Sequence, residues 1–131
     1  MRSTVFIIPA AATAMLVAVA PAAAQLDVIQ AHDYNFAADE LNKEKEILAG
    51  LDKEIGQTTE LVKGCSLLNQ KLVHLKTSDT QLDKMIESAH LLKRRKEEEN
   101  AVKLKKTTGT SIDTTQSDIT RMCASLPNNG A

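Results

Sequence analysis

The chain has 131 residues, with 17 acidic against 16 basic side chains and a formal net charge of −1. That balance excludes the one-sided basic surface that phosphate backbones require, so nucleic acid is not an expected partner. With no Trp, one Tyr and two Phe, the chain also lacks the aromatic platforms that line base, sugar and drug-sized pockets, and neither a small-molecule substrate nor a cofactor is expected.

The first 24 residues, MRSTVFIIPAAATAMLVAVAPAAA, carry one positive charge at Arg2, an apolar run over residues 5–20 and the small residues Ala22, Ala23 and Ala24 before Gln25. This is the layout of a secretory signal peptide. The run contains Pro9 and falls short of the roughly 20 apolar residues that a membrane span needs. The expectation is a leader over 1–24 and a single exported domain over 25–131, in the periplasm or at the cell surface. Cleavage after Ala24 leaves 107 residues, the 131 less the leader's 24, enough for a small core.

Between Pro21 and Pro127 there is no proline, and most positions from Leu26 to Lys106 are good helix formers. Leu41, Leu48, Ile55 and Val62 recur every seven residues, with Leu51 between them. A second series, Leu61, Leu68, Leu75, Leu82 and Ala89, has Cys65, Leu72 and Ile86 on the neighbouring row. These spacings predict an all-α chain with coiled-coil-like packing. The two series are out of phase across GQTT, residues 56–59, which reads as a local change of winding in a continuous helix.

Two Ser/Thr-rich stretches read as breaks. At residues 77–80 the apolar face lapses, and Ser78 stands three residues before Gln81 as in a capping box. At residues 107–113, Lys105 and Lys106 precede Gly109 and the cap candidates Thr110, Ser111 and Asp113. The expectation is therefore an elongated antiparallel three-helix bundle with helices over about 27–76, 79–106 and 111–126. Loops at bundle ends carry recognition, so Thr77, Ser78, Asp79 and Thr80 are the expected contact tip.

In that arrangement the third helix runs parallel to the first and brings Cys123 within about one helical turn of Cys65. A single rod through residue 106 would leave the two on the order of 40 Å apart, beyond the reach of a disulfide. Two cysteines in an oxidising compartment are expected to pair. A redox role fits poorly, because there is no C-x-x-C and Cys65 lies on an apolar row.

Catalytic chemistry finds little footing. His32, His74 and His90 have no spacing that places two imidazoles on one metal, and no metal site is expected. The run KRRKEEE, residues 93–99, is read as a solvated face with i, i+4 pairs Lys93–Glu97, Arg94–Glu98 and Arg95–Glu99. Asp39, Glu40, Asp52 and Glu54 are surface carboxylates without a pocket to desolvate them. The reading is a binding protein and not an enzyme.

The opening of the mature chain, AQLDVIQAHDYNFAADELNKEKEILAGLDKEI, resembles that of the minor pilins of type IV secretion systems: a leader ending in Ala-Gln, a short apolar-acidic segment, then a long helix of Leu, Ile, Glu and Lys. The resemblance implies an exported, elongated helical bundle at or near a pilus tip. Its partners would be other proteins of the cell envelope or secretion apparatus, and no functional residue carries over by motif. A periplasmic holdase chaperone and an inhibitor or exclusion factor of an envelope protein share the same features and stay open.

Overall fold

The computed structural model describes the backbone of residues 2–126 and the side chains of residues 25–126. The expected leader, 1–24, thus lies outside the residues whose side chains are described, as do residues from Pro127 onward. Among the described residues three helices follow one another: α1 over Arg2–Gln57, α2 over Leu61–Leu91 and α3 over Arg95–Cys123. Among the described residues no strand forms, and no helix is long and apolar enough to cross a membrane.

The bundle is the expected one, but it turns elsewhere. The phase slip at residues 56–59 is the first turn. Thr58 still donates to Glu54 O, Glu60 N donates to Thr58 Oγ1 at 3.3 Å, and Gly64 N to Glu60 O begins the next helix. The second turn falls at the start of the charged run, at residues 92–94. There Lys93 takes φ 58°, Lys93 N donates to His90 O and Arg94 N to Ala89 O. This is a Schellman closure with lysine where glycine is usual.

The two Ser/Thr-rich stretches are helix interiors. Thr77, Ser78 and Thr80 donate their hydroxyls to the carbonyls of Val73, His74 and Lys76, and Thr107 and Thr110 do the same to Lys103 and Lys106. A hydroxyl bonded back to the i−4 carbonyl sits inside a helix without interrupting it.

α2 is the central helix. It packs against both α1 and α3, whose backbones stay more than 8 Å apart among the described residues. Its buried face is accordingly wide: Leu67 and Met85 lie on one side, Cys65 on the other, and Leu68, Leu75 and Leu82 between. The flanking helices bury narrower stripes. α1 presents Ala37, Leu41 and Leu51. α3 presents small or polar residues, with Ala101, Thr115 and Cys123 fully buried. Near the second turn Ala37, Leu41, Leu82, Met85 and Ala101 form one core cluster, with Tyr34, Ala38 and Ile86 against it. Arg94 lies 5.9 Å over the Tyr34 ring, tying this turn to α1.

A polar layer crosses the middle of the bundle. His74 Nδ1 lies 2.6 Å from Glu44 Oε2 between α2 and α1. On the other side of α2, Lys105 Nζ lies 2.9 Å from Asp79 Oδ1 and 2.8 Å from Asp83 Oδ1. Those two carboxylates, Asp83 first, raise the Lys105 pKa above its ordinary value by hydrogen bonding to the ammonium.

Candidate functional site: the disulfide end of the bundle

Cys65 and Cys123 are bonded, with Cα atoms 5.7 Å apart and both side chains almost fully buried. The pairing is the expected one; the helices it joins are not. Antiparallel α2 and α3 turn near Arg94, midway in sequence between the two cysteines, which therefore arrive level at the open end of the hairpin. The bond joins α2 to α3 and not the first helix to the third. It lies beside the first turn, where α1 ends, α2 begins and α3 finishes.

These three helix ends enclose a cleft of about 240 Å³. Its walls are apolar: Ile55 from α1, Leu61 and Leu68 from α2, and Met122 from α3. Thr58, Thr59 and Glu60 form one rim, and Asp118 with Arg121 the other. Arg121 Nη2 donates to Asp118 Oδ1 at 2.8 Å, so this rim carries a paired charge. Gly64 lines the cleft as well; a Cβ there would meet Thr58 Cγ2 at 3.7 Å, an ordinary contact. The cleft is thus set by packing of the three ends.

The disulfide fixes this geometry from beneath. Cys65 follows Gly64, and Cys123 follows Met122, so one covalent bond holds two walls in register. Leu61 and Met122 remain partly exposed at the opening, at 43% and 39% of their full accessibility. The cleft is smaller than the roughly 300–1,000 Å³ of small-molecule sites. Its size and lining suit an apolar side chain presented by another protein.

The expected contact tip is displaced. Thr77, Ser78, Asp79 and Thr80 stand in the middle of α2 and not at a bundle end; Ser78 is buried, and Asp79 is held by Lys105. The first turn, residues 58–60, occupies the position assigned to them. Its signal was the phase slip between two heptad series, which a turn explains as well as a winding change does.

Two of the three histidines meet a carboxylate each: His74 with Glu44, and His90 Nδ1 with Glu98 Oε2 at 3.1 Å. No group of three or more His, Cys, Asp or Glu poised for a metal occurs among the described residues. Of the three ion pairs expected in residues 93–99, Arg95–Glu99 forms at 3.3 Å. The other two are replaced, because the chain turns at Lys93 and Arg94 and Glu98 is drawn to His90. Asp52 pairs with Lys71 across α1 and α2 at 2.7 Å.

Comparison of the chain with protein-family models, with curated proteins and with solved structures finds no match.

Proposed function

We propose that this chain is an exported protein-binding module of the cell envelope and that it receives its partner at the disulfide-end cleft. One observation carries the reading: a cleft with apolar walls and a polar rim is held in place by a buried covalent bond. A rigid site surrendering little conformational freedom on binding favours association. Export is supported by the leader pattern of residues 1–24 and by the paired cysteines, which persist in oxidising compartments. The specific form we assign is an assembly component of a type IV secretion pilus, on the resemblance of the mature opening to minor pilins.

Two measurements test this. Intact mass of the exported protein without reductant is expected to show loss of residues 1–24 and a monomer mass two protons below the reduced form. A crosslinking pull-down from the cell envelope is expected to recover pilus or secretion-channel components with the natural chain and to lose them with Leu61→Glu/Met122→Glu. Recovery of none would end the pilus assignment; undiminished recovery by the double variant would end the assignment of the cleft.

A further inference from the structure

A second surface lies apart from the cleft, on the flank of α1 that faces neither α2 nor α3. Ile29, Phe36 and Ile47 share this flank by helical spacing. Phe36 is 55% and Ile47 42% exposed. Between them stand Glu40 and Lys43, paired with each other at 2.7 Å. The α1–α2 groove beside Phe36 opens into a cavity of about 360 Å³ lined also by Asp33, Lys84 and Glu87. Val73 and Leu91, both exposed, follow the row of Lys84 along α2.

The row Phe36, Glu40, Lys43, Ile47 reads apolar, acidic, basic, apolar at spacings of four, three and four. It is its own complement when reversed. We infer that the occupant of this flank is a second copy of the same chain, docked antiparallel about a two-fold axis level with residues 41 and 42. That rotation sets each Phe36 against Ile47 of the other copy and each Glu40 against Lys43 of the other copy, forming every contact twice, as an isologous interface requires.

The charge order of the α1 row fits this arrangement. In the α1–α2 hairpin, Glu44 lies level with His74, so Asp33 lies level with about Met85 and Ile47 with about Lys71. An axis running along the bundle would instead press α1 onto α2 of the other copy at the same level, where the row Phe36, Glu40, Lys43, Ile47 does not meet its own complement. The axis across the bundle opposes Glu40 to Lys43 in both directions and, on α2, sets Val73 level with about Thr80. The row spans about 17 Å at 1.5 Å per residue. This is a small interface, of the size that gives weak and reversible association.

Sedimentation of the exported chain from 1 to 500 μM, approximate limits chosen around a micromolar to sub-millimolar Kd, is the test. A monomer–dimer equilibrium is expected in that range. Glu40→Lys or Lys43→Glu alone should weaken it about tenfold, since each reverses two symmetry-related pairs. The double variant Glu40→Lys/Lys43→Glu should recover the natural affinity to within about threefold, and Phe36→Ser should abolish dimers. Circular dichroism and the thermal midpoint should be unchanged in all four, the residues being on the surface. A monomer throughout the range, or a double reversal no better than the singles, overturns the inference. Leu61→Glu/Met122→Glu should dimerise normally, so failure of the cleft assignment and failure of this one are separately visible.

Discussion

The two seams of α2 are built from different materials. Against α1 it sets leucines and a methionine, and α1 answers with Leu41 and Leu51. Against α3 it meets Ala101 and Thr115, with a lysine between two aspartates. Each fully buried leucine contributes on the order of 2 kcal/mol by leaving water; Ala and Thr contribute much less. The first seam therefore gains more from burial, and the disulfide supplements the second. The difference explains the position of that bond: it closes the open end of the hairpin whose apolar contact is the weaker.

Breaking the bond is the largest test of this contrast. Replacing both cysteines with alanine is expected to cost about 4 kcal/mol on the chain-entropy account of a 58-residue separation. The loss should be local: hydrogen exchange should show α3 amides, from the C-terminal end inward, losing protection while α1 and α2 keep theirs. A uniform loss across all three helices would show that the two seams are equivalent. Leu82→Ala is the next largest test. Leu82 belongs to the one core cluster that joins all three helices, so its truncation should cost about 2–5 kcal/mol and lower the protection of all three helices together in urea unfolding. Protection lost only from α3 would contradict its assignment to both seams.

How far the sequence carried this reading depends on what each residue reports. Heptad spacing is a statement about faces, and the rows through Leu41, Leu48 and Ile55 and through Leu68, Leu75 and Leu82 name the core faces of α1 and α2 correctly. The cysteine count, with the expected compartment, names the disulfide. The turns were less legible because their chemistry is weak or shared. Residues 58–60 contain neither glycine nor proline, and Lys93 in the left-handed region has no signature in a run of lysines and arginines. Conversely, Ser and Thr can cap a helix or bond back within it, and both buried Ser78 and exposed Thr110 take the second course. The cleft was invisible to sequence reasoning for the same reason: it exists only where the turn at 58–60 brings Ile55, Leu61 and Met122 to one end.

A smaller test addresses the ionic part of the α2–α3 seam. Lys105 has its pKa raised by Asp83 and Asp79, so its stabilisation is fully present below the unfolded lysine value, about 10.4. It is lost as pH rises through the higher folded value. Protection of α3 should therefore fall above about pH 10.5 in the natural protein. With Lys105→Met this component of the fall should disappear, leaving that of Tyr34, whose pKa is raised first by burial and acts in the same direction. Because Lys105 is more than a third exposed, the effect should be well under that of the disulfide. An identical alkaline profile in the variant would remove the ion pairs from the account.

The smallest changes strengthen the weak seam without touching its interface. Lys93 holds φ 58° at the α2–α3 turn, a conformation that costs a non-glycine residue roughly 1–2 kcal/mol. Glycine there gives back part of that gain through the entropy of the unfolded chain. Lys93→Gly should stabilise by about 0.5–1 kcal/mol. Gly109 presents the opposite case, a glycine inside α3 with nothing within 4 Å of an added Cβ, so Gly109→Ala should gain up to about 1 kcal/mol. Each substitution acts on the hairpin that the disulfide closes. If that hairpin is the limiting element, introducing both into the cysteine-free chain should restore α3 protection in hydrogen exchange, whereas Gly50→Ala in α1, equally open around its Cβ, should raise global stability while leaving α3 the first helix to open. Equal rescue of α3 by the α1 substitution would mean that the helices unfold as one unit and that the contrast between the seams has no energetic consequence.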